Sequence, residues 1–162
     1  MKYLLCLINS KLLNYWFAFY FHDVNIKPEQ IRKLPIKELS PKEQISFVQK
    51  ADLMLQLNNG FHEKLKNFIK LIKSELNIEK NTKKLETFYR IDFEEFIKEL
   101  KIKISIDKKE ELLEFFERHK RELTELKEKI DITDREIDKM VFDLYGISEE
   151  ERQIITVNQA KE

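Results

Sequence analysis

Residues 47–72, FVQKADLMLQLNNGFHEKLKNFIKLI, decide how this chain folds. Phe47, Ala51, Met54, Asn58, Phe61, Leu65, Phe68 and Ile72 recur at alternating spacings of four and three, and all but Asn58 are apolar. That spacing keeps one apolar stripe on one side of an α-helix and reads as a coiled-coil seam. Upstream, Ser40, Pro41 and Glu43 supply an N-cap, a proline suited to a first helical turn and a capping-box acid. The spacing therefore predicts one helix from about residue 41 to Leu76, about 54 Å long at roughly 1.5 Å per residue. Asn58, Asn59 and Gly60 raise the alternative of a turn and a helical hairpin. Continuity is favoured because the stripe keeps its phase across Gly60, and a mid-helix glycine costs only about 1 kcal/mol relative to alanine.

A second stripe follows in Leu112, Phe116, His119, Leu123, Leu126 and Ile130, again at heptad spacing. Asp107 with Glu110 resembles its N-terminal cap, giving a helix of about 36 Å. Two long helices with apolar seams pair most simply as an antiparallel coiled coil. Thr133 with Glu136 reads as the cap of a further helix bearing Ile137, Met140, Val141 and Leu144. Gly146 is placed to end it, and Ser148 with Glu151 to cap a last short helix. Between the seams, Leu85, Phe88, Tyr89, Phe93, Phe96, Ile97 and Leu100 predict aromatic packing and a short helix at 92–101. Residues 102–106 alternate apolar and polar, as a short strand would, with no evident pairing partner.

The composition agrees with an all-α chain. Only 2 glycines and 3 prolines occur in 162 residues, with 37% charged and 42% apolar side chains. Pro28, Pro35 and Pro41 mark a connector over residues 22–41, holding at most one short helix at 28–34. The expected architecture is an aromatic N-terminal helix, a connector, then a long antiparallel coiled-coil or helical bundle. The division falls into residues 1–40 and 41–162.

The first 21 residues are strongly apolar, but Asn9, Ser10 and Lys11 interrupt them before a span of about 20 residues is reached, which argues against a membrane helix. Tyr15, Trp16, Phe17, Phe19, Tyr20 and Phe21 would crowd water unless covered, so the helix Tyr15 to Phe21 is expected to meet a protein partner. Cys6 is the sole cysteine. It reads as apolar filler and fits a reducing, cytoplasmic setting.

Chemistry-bearing motifs are scarce. His22, His62 and His119 are far apart and stand in no zinc-ligand pattern, and two glycines cannot build a phosphate-cradling loop. Glu94 with Glu95 and Glu149 to Glu151 lie where helices begin, so capping and the helix dipole explain them better than acid–base catalysis. No catalytic, metal or cofactor-binding residue is assigned. The net charge is zero, yet residues 1–106 carry 19 Lys and Arg against 13 Asp and Glu, and residues 107–162 carry 11 against 17. Such a mild basic excess is compatible with phosphate contact, and is far weaker than that of a free-standing nucleic-acid binder.

LINSKLLNYWF at Leu7–Phe17, IRKLPI at Ile31–Ile36, Glu43 and Gln44 before the long helix, and EIDKMVFDLYGISEEE at Glu136–Glu151 occur in a telling order. That order resembles the closing part of the target-recognition region, with its helical spacer, in TaqI-like adenine-N6 DNA methyltransferases and fused type IIG restriction–modification enzymes; type I specificity subunits are similar. The resemblance implies that Asn9, Ser10 and Lys11 belong to a helix ending the recognition domain. Leu34, Pro35 and Ile36 would form its exit to the spacer. The chain departs from that family in lacking the earlier base-reading segment, the Asn/Asp-Pro-Pro-Tyr/Phe motif of methyl transfer and a Pro-Asp, Glu-x-Lys nuclease pattern. The expectation is a non-catalytic specificity subunit or the separated tail of a larger enzyme, working with a catalytic chain on DNA. Lys11, Lys27, Arg32, Lys33 and Lys37 are the candidate phosphate contacts, set against the plainer reading of solvated surface charge. The competing expectation is a stand-alone interaction protein whose aromatic helix docks on a partner and whose coiled coil spaces or forms a homodimer.

Overall fold

The computed structural model describes residues 1–21, 26–78, 82–102 and 105–159, with side chains to residue 157. Its helices are α1 (Lys2–Asn9), α2 (Lys11–Tyr20), α3 (Pro28–Ile31), α4 (Ile45–Glu75), α5 (Lys83–Glu86), α6 (Phe93–Leu100), α7 (Ile106–Tyr145) and α8 (Glu149–Gln159), with a 3-10 turn at Phe88–Arg90. No strand occurs among the described residues. The fold class is all-α, as the sequence predicts. Lys103 and Ile104, the middle of the expected strand, lie outside the described residues, and Ile106 already belongs to α7.

Two packing units emerge: residues 1–55 with 131–162, and residues 56–130. The first 40 residues thus share a unit with the start of α4 and the end of α7. Its core holds Tyr3, Cys6, Leu7, Leu13, Phe47, Ala51, Ile137 and Val141, with Leu12, Leu34, Leu39 and Met54 packed around it. The N-terminal apolar stretch is two helices rather than the expected one. Ser10 breaks it with extended φ/ψ of −72° and 150°. Its hydroxyl donates to Leu7 O at 2.7 Å and accepts from Leu13 N–H at 3.3 Å, so one side chain ends α1 and caps α2.

In the second unit, α4 and α7 run antiparallel. Lys64 pairs with Glu122, Phe68 stacks near Phe115 at 5.5 Å, and Ile72 and Leu76 lie opposite Leu112. An aromatic cluster fills the space between this pair and the intervening short helices. Phe68 stacks on Phe88 with ring centroids 3.6 Å apart, and Phe96 meets Phe116 at 4.8 Å. Phe68, Phe88, Phe96 and Phe116 are fully buried. Asp92 caps α6 by accepting from Glu95 N–H at 2.7 Å. Gly60 sits inside α4, which is unbroken, so the hairpin alternative is removed.

One expected boundary is absent and another is slightly displaced. Thr133 is buried inside the 40-residue α7 rather than capping a new helix, and Asp107 lies in its first turn rather than at its cap. A Thr-x-x-Glu pattern signals a start only where something ends the preceding helix, and residues 107–145 contain neither glycine nor proline. Gly146 does end α7. At φ +68°, its N–H donates to Asp143 O and that of Ile147 to Phe142 O, a Schellman closure. Ser148 and Glu151 then exchange the reciprocal bonds of a capping box to start α8, as Ser40 and Glu43 do before α4.

Candidate functional site

The candidate basic contacts all lie in the first unit, and the fold treats them differently. Lys11 starts α2 and faces Asp138 of α7. The Asp138 carboxylate accepts from the Lys11 backbone N–H at 2.8 Å and from its Nζ at 2.6 Å. Asp138 is 6% exposed and Lys11 32%, so this ion pair is a half-buried internal staple. Lys37 is exposed and is bonded within the fold as well. Its Nζ donates to Leu144 O at 2.8 Å near the C-terminal end of α7, its backbone N–H to the Tyr145 hydroxyl at 3.1 Å, and its carbonyl accepts from the Tyr3 hydroxyl at 2.6 Å. Tyr145 donates in turn to Pro35 O. Two tyrosines thus hold the segment Pro35–Lys37 against α1 and α7.

Burial explains the titration of this strap. The Tyr3 phenol is pushed up to about 12, first by desolvation and then by the neighbouring Tyr145. Burial raises Tyr145 as well, partly offset by the Lys37 N–H. Burial also pushes the Cys6 thiol up, and its Sγ donates to Phe47 O at 3.4 Å, which makes it inert packing. The remaining candidates face outward. Lys27, Arg32 and Lys33 are exposed around α3, with the Lys27 N–H bound to the Gln30 side chain and the Lys33 Nζ 5.8 Å from the Phe21 ring centroid. His22 lies outside the described residues.

The aromatic helix is partly covered by its own chain. Helix α8 packs on α2, which the sequence did not signal, and between them lies a groove of about 430 Å³ lined by Tyr15, Trp16, Phe19, Tyr20, Ile154 and Ile155 among others. Cover is incomplete: Phe19 is 65% exposed, Tyr20 59%, Ile154 56% and Val157 57%. Trp16 packs against Tyr20 at 4.6 Å and Phe21 at 6.0 Å.

Among the described residues no three His, Cys, Asp or Glu side chains are grouped to hold a metal ion, and no helix is long and apolar enough to cross a membrane. His119 lies 4.2 Å from the Phe115 ring with Nδ1 2.9 Å from Phe115 O, a packing role. Glu94 pairs with Lys109 and Glu95 with Lys84, both on the surface. Sequence reasoning missed Asp138. Its signal was an acid amid the apolar run Ile137, Met140, Val141 and Phe142, a position that a carboxylate tolerates only with a partner.

Residues 40–141 match the family model described as a domain of unknown function, DUF8810. This stretch is well over half of the chain; it includes all of α4, stops short of α8 and leaves out α1 to α3. No curated protein and no solved structure matches.

Proposed function

The chain belongs to the DUF8810 family, a domain of unknown function, and we propose from its own residues that it is a non-catalytic specificity and spacer subunit of a restriction–modification system. It docks on an adenine-N6 DNA methyltransferase chain and helps position DNA. One observation supports this above the rest. The three separated segments that resemble the end of a target-recognition region meet in one core: Leu7 and Leu13 from the first, Leu34 from the second, and Ile137, Met140, Val141 and Leu144 from the third. This packing supports the reading, because segments carried over together from a recognition region would be expected to keep a shared core.

Within this reading, the outward-facing Lys27, Arg32 and Lys33 are the phosphate contacts, while Lys11 and Lys37 hold the scaffold. The test is co-expression with an adenine-N6 methyltransferase chain that lacks its own C-terminal specificity segment. A stable complex with salt-sensitive DNA binding is expected. Arg32→Ala with Lys33→Ala should weaken binding to every sequence and lower the slope of log affinity against log salt by about 2. An unchanged slope sinks the DNA contact, and failure to bind any such chain sinks the restriction–modification role. The second reading, a stand-alone interaction protein, draws on the exposed aromatics of α2 and predicts partner binding without DNA affinity.

A further inference from the structure

We propose that the groove between α2 and α8 docks an amphipathic helix of another protein, with large apolar side chains in the groove and lysine or arginine beside the first turn of α8. This names the partner chemistry for the docking part of the proposed function and rests on that part. The groove runs between two helices and is open, its lining residues Phe19 and Ile154 being exposed, as is Val157 farther along α8. Such a surface suits the helix-in-groove mode, read by apolar anchors one helical turn apart.

Charge selects the occupant. The first turn of α8 carries Glu149, Glu150 and Glu151, and Glu151 itself lines the groove. The neighbouring cation, Arg152, is already paired with Asp143 at 2.6 Å, and Lys11, the one charged residue of α2, is held by Asp138. Lys33 stands over Phe21 rather than over these acids. The helix dipole offsets about half a charge, which leaves the rim negative. A second copy offering this face would bring the same acids, so the occupant is a different, basic-rimmed helix.

Trp16 is the sole tryptophan and lies in the groove, so its fluorescence reports occupancy directly. The probes are two 18-residue amphipathic peptides with leucine on one face and either lysine or glutamate on the other. The lysine peptide should shift Trp16 emission to the blue and bind at least tenfold more tightly than the glutamate peptide. Phe19→Ser with Ile154→Ser, both exposed in the free fold, should abolish the shift, and Glu149→Lys with Glu150→Lys should reverse the charge preference. No shift with either peptide, equal binding of both, or a homodimer that Phe19→Ser dissociates overturns the proposal. An intact methyltransferase complex with the Phe19→Ser/Ile154→Ser variant also overturns the groove and leaves the restriction–modification reading standing. Peptide binding without any methyltransferase complex supports the groove and removes that reading.

Discussion

The two packing units reach order by different physics. In residues 56–130 the core is aromatic and its contacts have little direction: Phe68, Phe88, Phe96 and Phe116 touch ring to ring, and the ion pairs around them, such as Lys64 with Glu122, lie at the surface. In residues 1–55 with 131–162 the core is smaller-grained and polar groups fix its geometry. Ser10 turns the chain, Asp138 receives both donors of Lys11, and Tyr3 and Tyr145 bind the segment Pro35–Lys37. Area burial supplies stability, whereas buried hydrogen bonds, costly when unmade, select one arrangement. The unit carrying the candidate contacts and the groove is the one specified by polar staples.

That contrast can be broken at three points. The largest effect belongs to the aromatic unit. Phe96→Ala removes a fully buried ring that packs against Phe68, Phe88, Phe93 and Phe116, and should cost about 3 to 5 kcal/mol in urea unfolding followed by circular dichroism. A loss under about 1 kcal/mol would show that the cluster is loosely packed. In the polar unit, Asp138→Ala leaves the Lys11 N–H without its acceptor and should cost about 2 kcal/mol, with Asp138→Asn costing less because an oxygen remains. Trp16 fluorescence reads this transition, and equal losses for the two variants would assign the effect to packing rather than to the hydrogen bond.

The smallest effect is alkaline. The Tyr3 phenol, ordinarily near 10, stands at about 12 in the folded chain. A folded value above the unfolded one means that the contribution is complete below pH 10 and is lost as pH rises towards 12, by about 1.4 kcal/mol at pH 11. Lysines titrate in the same window, so the quantity to measure is the difference between the native chain and Tyr3→Phe. A Tyr3→Phe chain that loses stability as steeply as the native one would remove the phenol as the cause.

Much of this was legible beforehand, and the misses are of two kinds, local patterns misjudged and partners remote in sequence. The long α4, the short α6, the stop at Gly146 and the cap at Ser148 follow from periodicity and local hydrogen bonding within a few residues. The false start at Thr133 came from the same local rule applied where nothing ended the preceding helix. The Ser10 break is present in the letters Asn9–Ser10–Lys11, whose polarity marks an interruption without showing that Ser10 ends one helix and caps the next. Of the five basic candidates, the sequence could not separate Lys11, half-buried on Asp138, and Lys37, exposed yet bonded to Leu144 O, from Lys27, Arg32 and Lys33 around α3. Their partners are more than a hundred residues away along the chain.

The sequence by itself determined that this chain is helical, where α4 lies and which stripes of the two long helices are apolar, because those depend on spacing and on bonds between near neighbours. Only the tertiary structure decided which segments share a core, which cations bond within the fold, and that α8 covers one side of the aromatic helix while leaving a groove. Such outcomes depend on contacts between residues remote in sequence, whose geometry no local pattern encodes.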